Sequence, residues 1–461
     1  MVKKKIKTSF VCQQCGYDSP AYLGKCPECG LWNTFAEFKQ PSSAFDSGSS
    51  WVDNLKQDLP RKLSDIAYKE RLRIQTKFNE LNTVLGGGIV VGSATLLAGD
   101  PGVGKSTLLL QLCLSLAQKG LQVLYISGEE SIEQIKMRAD RLIKTFNQKS
   151  ANNSPERENV QISDSLFLIS LSDPDIAFSH IQSLKPDLVI VDSIQTMQST
   201  NLEGLSGSVG QVRYAALHFI RAAKQFNIPV ILVGHVTKEG MVAGPMVLSH
   251  MVDTVLFLEG EKFTKTRILR SLKNRFGPVD EVGIFIMDEE GLKEIANPEQ
   301  IFLSQRSGDV PGTVLVVTME GSRAFLVELQ ALVVSSKLPM PRRVVSGVDQ
   351  KRVELLLAVL QKHCGLPLDT MDVFVNVAGG LKISDPAIDL GVCLAIYSSI
   401  KNISLSKIVG IAEVGLLGEL REVSSLEKRI KEAKKLGFTN ILTVKSSKFL
   451  NDVLKSLESK K

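Results

Sequence analysis

The chain has 461 residues, 44% of them hydrophobic and 23% charged, with 55 Lys and Arg against 49 Asp and Glu for a net charge of +6. At about 150 residues per domain this length predicts roughly three domains, each able to bury a core, which excludes a small stapled scaffold and, with this composition, global disorder. No run reaches the roughly 18 uncharged apolar residues of a membrane-spanning helix, and MVKKKIKTSF turns polar before an apolar signal core develops, so a cytoplasmic location with no membrane partner is expected.

Four of the seven cysteines, Cys12, Cys15, Cys26 and Cys29, fall in a C-x2-C-x10-C-x2-C pattern with Gly16 and Gly30 directly after each pair. Two cysteines two residues apart turn both sulfurs toward one ion, and the glycine permits the turn that wraps them. Four thiolates close a tetrahedral shell, so the pattern reads as a structural Zn2+ site; two disulfides or a tetrahedral iron centre are the alternatives. Cys113, Cys364 and Cys393 lie in apolar stretches, where cysteine behaves as a small hydrophobe. Residues 40–50, QPSSAFDSGSS, have the composition of a flexible linker.

Residues 94–98 (ATLLA) form an expected strand, followed by Gly99, Asp100, Pro101, Gly102, Val103, Gly104, Lys105, Ser106 and Thr107, then the helical LLLQLCLSLAQKG. This is G-x4-G-K-[ST] in a strand–loop–helix setting: backbone amides cradle the β-phosphate of ATP, Lys105 reaches the β- and γ-phosphates, and Ser106 offers its hydroxyl to Mg2+. Strands are expected at residues 122–127, 166–170, 188–192 and 229–233, alternating with helices as in a parallel sheet covered on both faces. Ser131 with Gln134 forms a capping box, and Asp173 with Pro174 opens another helix. Residues 144–164, polar and Asn/Ser-rich, read as a surface loop. Asp192 closes an apolar strand where a Walker B carboxylate holds Mg2+. Glu129 and Glu130 stand at a strand's carboxyl end, where a carboxylate orients the attacking water; stabilising the following helix dipole is the other reading. The glycine- and serine-rich residues 196–213 read as a long irregular loop of functional length.

The zinc knuckle, GDPGVGKST, YISGEES, VIVDSIQT, GSVGQVR, VGHVTKEG, VLSHMVDTVLFLEG and KNRFG occur in the order of the bacterial RadA (Sms) family, RecA-like ATPases of recombination and repair, and the chain resembles that family from end to end. The resemblance implies an α/β fold with a RecA-like P-loop ATPase core, an N-terminal C4 zinc ribbon and a C-terminal α+β Lon-protease-like domain. The expected divisions are 1–40 for the zinc finger, 41–65 for a linker, 66–296 for the ATPase and 297–461 for the Lon-like domain. It makes Lys105 and Ser106 the phosphate and Mg2+ ligands, Asp192 the Walker B aspartate and Glu129 the catalytic base. His235 and Lys238 take a γ-phosphate-sensing place, with a plain strand-end histidine as the alternative for His235. In the signature KNRFG, Lys273 and Arg275 would reach a neighbouring subunit's nucleotide as a finger in trans, which implies a ring or filament, expected as a homo-hexamer; a solvated charge pair is the alternative. The 196–213 loop would face single-stranded or branched DNA, and a recombinase and other repair proteins are the implied partners.

After a boundary at Asn297-Pro298, the C-terminal pattern resembles the proteolytic domain of Lon. That chemistry needs a serine nucleophile and a lysine base. Ile388 or Asp389 stands where the serine belongs and Glu427 near the lysine position, with Ser384 nearby and Lys428 one residue off, about 100° around a helix. Peptidase activity is therefore expected to be lost, leaving Arg342, Arg343, Lys351 and Arg352 as an edge that would hold DNA phosphates or organise an oligomer. The expected function is a DNA-stimulated ATPase that remodels recombination intermediates. The alternatives are an ATP-switched scaffold for repair partners and an ATP-dependent peptidase.

Overall fold

The computed structural model describes residues 8–12, 17–39, 62, 72–153, 164–235, 248–260, 265–295, 308–378 and 382–458. Two compact units result, Met1–Glu294 and Ile295–Lys461. The expected boundary at Asn297-Pro298 and the linker at 40–50 lie outside the described residues.

The first unit begins with a small antiparallel sheet of β1 (Thr8–Cys12), β2 (Asp18–Ser19) and β3 (Phe35–Lys39), ordered β2-β1-β3. A two-stranded ladder, β4 (Arg73–Ile74) with β5 (Ile89–Val90), precedes the main sheet. That sheet contains β6 (Ala94–Gly99), β7 (Val123–Ser127), β8 (Leu166–Ser170), β9 (Leu188–Asp192), β10 (Val230–His235), β11 (Thr254–Glu259), β12 (Thr266–Asn274), β13 (Val282–Asp288) and β14 (Gly291–Glu294). Its order is β14-β13-β12-β11-β6-β10-β9-β7-β8, parallel from β11 to β8 and antiparallel from β12 to β14. Buried on both faces, the central strands read as unbroken apolar runs, and their alternate residues feed two separate cores. Leu97, Tyr125, Ile190 and Val233 pack with the helices Lys105–Ala117 and Ile132–Asn153, whereas Leu96, Ile126, Val191 and Leu232 pack with the helices Pro174–Leu184 and Val209–Phe226.

The caps form as the sequence indicates. Ser131 N donates to Gln134 Oε1 at 2.9 Å, and Asp173 Oδ1 accepts from the amides of Asp175 and Ile176. Two expectations need correction. The helix opened by Ser131 runs to Asn153, so residues 144–153 are helical rather than loop. No Gly or Pro interrupts them before Pro155, so nothing in the sequence breaks the helix there. Residues 209–213 are likewise the first turns of a helix, which leaves 197–208 as the irregular part.

In the second unit, β15 (Thr313–Glu320), β16 (Arg323–Ser335), β17 (Arg343–Ser346), β18 (Met371–Val377), β19 (Ile408–Ile411) and β22 (Asn440–Thr443) form a sheet ordered β17-β18-β16-β15-β19-β22. Helices Gln350–Cys364, Asp389–Lys401, Leu426–Lys435 and Leu450–Glu458 accompany it. The expected hairpin across KIVGIAEVGLLGELREV is divided: β19 joins the main sheet in parallel, and only β20 (Glu413–Val414) and β21 (Leu420–Arg421) pair as a hairpin. Among the described residues no helix is long and apolar enough to cross a membrane.

Candidate active site and metal centre

Because β6, β10, β9 and β7 are adjacent and parallel, the residues that end them meet along one sheet edge. The loop after β6 is glycine-dependent for a local reason. Gly104 has φ +113°, and a Cβ there would lie 2.3 Å from Met287 Cε. Immediately after it the helix Lys105–Ala117 begins, directing its first amides at the loop.

Lys105, only 3% exposed, donates from Nζ to the carbonyls of Gly99 at 2.8 Å and Asp100 at 3.0 Å, with His235 Nδ1 at 3.1 Å. An ammonium only donates, so Nδ1 accepts and the ring proton sits on Nε2. Burial lowers the Lys105 pKa to about 8 against the attraction of Asp192 and Glu129. His235 Nε2 faces Glu129 Oε1 at 3.3 Å, off the line of a straight hydrogen bond, while Ser193 Oγ donates to the same oxygen at 2.5 Å. His235, then Ser193 and Lys105, hold the Glu129 carboxyl down to about 2 although burial works the other way. Gln195 Nε2 donates to the His235 carbonyl at 3.2 Å, tying the turn after β9 to the end of β10.

Asp192, 6% exposed, accepts from the buried Tyr125 hydroxyl at 2.5 Å across the β7–β9 pair. The proximity of that carboxylate and burial push the phenol well above its ordinary range, burial contributing most. With one carboxylate oxygen occupied by Tyr125, and with Ser106 opening the next helix, Asp192 and Ser106 make an all-oxygen set that suits a hard divalent cation such as Mg2+. Glu130 is turned away from this group: its carboxylate pairs with Arg138 on the following helix, and its amide donates to Ser127 Oγ. Lys238 lies outside the described residues.

Lys273 and Arg275 stand apart from this edge. Lys273 Nζ donates to the carbonyls of Ser249 at 2.7 Å and Val252 at 2.8 Å, and Arg275 Nη1 lies 3.3 Å from Asp253 Oδ1. Both turn to one segment, as their spacing indicates. A β-bulge helps set this aim: Leu256 pairs with Ser271 and Val255 with Lys273, which leaves Leu272 as the extra residue. The turn beyond is docked by backbone contact, since a Cβ on Gly86, at φ +75°, would lie 3.0 Å from Gly277 Cα. Arg73 secures it further by donating from Nη2 to the Phe276 carbonyl at 2.7 Å.

The loop 197–208 is pinned rather than loose. Gln211, fully buried, accepts from Ser199 N and donates to the Leu202 carbonyl at 2.7 Å. Asp175 accepts from the hydroxyls of Ser199 and Tyr214. Sequence reasoning missed Tyr125, Ser193, Gln195, Gln211 and Arg267. The available signal was polarity in apolar places: a tyrosine inside LYIS and an arginine on the inward face of TRILRS. Arg267 donates from Nε to the P-loop carbonyl of Val103 at 3.0 Å.

In the small N-terminal sheet the sulfurs of Cys12, Cys26 and Cys29 all lie within 4.8 Å of one another, and Cys12 and Cys29 are 3.7 Å apart. A tetrahedral ion with bonds of about 2.3 Å sets sulfurs about 3.8 Å apart, so the set fits zinc. Cys26 N donates to the Leu31 carbonyl and Gly30 N to the Cys26 carbonyl, each at 2.9 Å, with Gly30 at φ +72° forming the knuckle. Cys15 lies outside the described residues.

The Lon-like position in the second unit holds ion pairs instead of a dyad. Asp389, 1% exposed, receives Arg352 Nε at 3.2 Å and the Val414 amide at 3.1 Å, and Glu413 lies 3.5 Å from the same guanidinium. Glu427 pairs with Lys445 at 2.8 Å, while Lys428 and Ser384 are exposed. The inward cation of the helix Leu426–Lys435 is Arg429, bonded to Asp385 at 2.6 Å and the Val317 carbonyl at 2.7 Å. Three members of the expected basic edge have partners within the unit: Arg352 pairs with Asp389, Arg342 donates from Nε and Nη2 to Asp372 Oδ2, and Arg343 donates to the Met371 and Leu368 carbonyls, while Lys351 is exposed.

A glycine-rich loop between β6 and its helix, with carboxylates ending neighbouring parallel strands, defines a P-loop ATPase, here carrying a zinc ribbon and a C-terminal α+β unit. Residues 62–241 match the family model of the AAA domain, residues 10–37 a rubredoxin metal binding domain, and residues 342–447 subunit ChlI of Mg-chelatase. The chain is 46% identical over 442 residues to DNA repair protein RadA of Bacillus subtilis (strain 168), covering 95% of this chain and 92% of that protein. It is 46% identical over 448 residues to its counterpart in Streptococcus pyogenes serotype M1, covering 97% and 94%. Against that of Listeria monocytogenes serovar 1/2a (strain ATCC BAA-679 / EGD-e) the figure is 43% over 449 residues, again covering 97% and 94%. The chain belongs to the DNA repair protein RadA family, and it is a DNA repair ATPase that binds ATP and zinc.

Proposed function

We propose that this ATPase is stimulated by DNA and uses hydrolysis to remodel single-stranded and branched recombination intermediates as a homo-hexameric ring, alongside a recombinase and other repair proteins. The observation that carries the reading is the convergence of Lys105, His235, Glu129 and Ser193 at one sheet edge. Lys105 and the loop from Gly99 to Thr107 bind the triphosphate, with Ser106 and Asp192 as the Mg2+ ligands. Bound there, Mg2+ would neutralise phosphate charge. Tyr125 fixes the Asp192 carboxylate. Glu129, held near pKa 2, is a weak base in the ground state, so it orients the attacking water and accepts its proton late. Gln195 and His235 connect this group to the chain entering 236–247, and the pinned 197–208 loop offers backbone and hydroxyl groups to DNA. Lys273 and Arg275 touch no residue of their own P-loop in the described contacts, which supports action on a neighbouring subunit.

ATPase rates with and without single-stranded DNA test this for wild type, Lys105→Ala and Lys273→Ala. DNA should raise the wild-type rate, and each variant alone should lose activity by roughly 10²–10³-fold. Mixing the two variants should restore part of it, because some interfaces pair an intact P-loop with an intact finger. A wild-type rate indifferent to DNA would leave the scaffold reading standing.

A further inference from the structure

Within its own subunit, the strand carrying the KNRFG signature is clamped at one end to the P-loop and at the other to the strand that leads into it. At the near end, Arg267 is 8% exposed and reaches from β12 to the Val103 carbonyl inside the P-loop. Its Nη1 also donates to the Thr266 carbonyl at 2.9 Å, which braces the guanidinium against its own strand. The stem passes over Gly260, where a Cβ would lie 2.4 Å from Arg267 Cδ. At the far end, Asp253 accepts from the Ala94 amide at 3.0 Å, at the first residue of β6, and its other oxygen faces Arg275 at 3.3 Å. Between the clamps, β12 runs through seven residues from Arg267 to Lys273, six steps and about 20 Å of hydrogen-bonded strand.

We propose that Arg267 is a positioning residue that transmits the state of a subunit's own P-loop along β12 to Lys273 and Arg275, and so to the nucleotide site of the next subunit. The proposal rests on the reading that Lys273 and Arg275 act in trans. Movement of the Val103 carbonyl as the loop closes on phosphate pulls directly on the guanidinium. The paired strand then carries the displacement, because β13 holds it over residues 266–270 and β11 over residues 268–274. At the opposite end Asp253 links Arg275 to the start of β6, so the signature is tied there too to the strand that leads into the P-loop. A side chain that merely filled the space would pack there without gripping the carbonyl.

The test is cooperativity in the assembled full-length protein. ATP hydrolysis is followed against ATP concentration for wild type, Arg267→Met and Gly260→Ala, and binding of a fluorescent ATP analogue is measured in parallel. Arg267→Met keeps the stem and removes the donors, whereas Gly260→Ala keeps the donors and displaces the stem. Both should bring the Hill coefficient of hydrolysis from above 1 toward about 1, with analogue affinity changed no more than about three-fold. Arg267→Lys, which keeps charge without the planar fork, should recover cooperativity only in part. The proposal is overturned if the wild type is not cooperative, or if both variants keep its Hill coefficient while kcat or KM alone changes. Failure of Lys273→Ala and Lys105→Ala subunits to complement one another would instead overturn the trans reading beneath it, so the two failures are told apart.

Discussion

Lys105 shows how one residue's environment becomes a measurable property. Its pKa of about 8 lies below the usual 10.5 because burial disfavours the ammonium. The folded chain therefore carries that cost in full below pH 8 and sheds it as pH rises from 8 toward 10.5. A bound triphosphate favours the ammonium and draws the pKa back up. Binding of ATP at pH 8 should then take up about half a proton through this residue and weaken as pH rises further. Calorimetry in two buffers of different ionisation enthalpy reads the uptake, and a Lys105→Met protein that still took up the same half proton would exclude Lys105 as its source. The P-loop lysine was legible in the sequence because its motif is local. Its partner His235 lies 130 residues away, and the contact exists only because β10 lies beside β6.

At the scale of elements, strands and caps were legible wherever apolar period and cap residues agreed, as at LVIVD and at Asp173-Pro174. The helix past Lys144 was not, because a polar helix end and a polar loop share a composition and only the missing Gly or Pro distinguishes them. The loop 197–208 was legible as a segment but not as a pinned one: Gln211 sits inside what reads as loop, and its buried amide gives 197–208 its shape. In the zinc ribbon the spacing carried nearly everything, since C-x2-C dictates its own geometry. Purified protein should contain one zinc per chain. Cys26→Ser should abolish it, read by metal analysis and by loss of ordered amide signals from residues 17–39. Retention of zinc by that variant would count against Cys26 as a ligand. Because the thiolates themselves close the fold of so short a segment, metal and structure should be lost together.

For the whole molecule, the C-terminal unit shows what becomes of a catalytic position without its chemistry. The sequence reveals that serine and lysine are missing. It does not reveal that Arg352, 37 residues before Asp389, neutralises the carboxylate now buried there, because pairing between helices has no local signature. Burial holds the Asp389 carboxyl above its usual range even with Arg352 beside it. Arg352→Ala should therefore cost about 2–4 kcal/mol at neutral pH by stranding that charge. The deficit should shrink as pH falls and Asp389 protonates, whereas the double change Arg352→Leu with Asp389→Leu should be far milder. Calorimetric unfolding of the full chain from neutral pH down through the ordinary carboxylate range measures both, and a deficit that stayed constant throughout would rule out a stranded carboxylate.

The contact between Gly86 and Gly277 has a consequence of another kind. The two backbones approach so closely that a Cβ on Gly86 would lie 3.0 Å from Gly277 Cα, so excluded volume sets their closest approach. Salt does not screen such a limit and pH does not titrate it. The charges of Lys273 and Arg275 respond to ionic strength, but the ledge from which they project does not. A change in buffer therefore alters the screening of these two charges without altering the closest approach of the backbone that carries them.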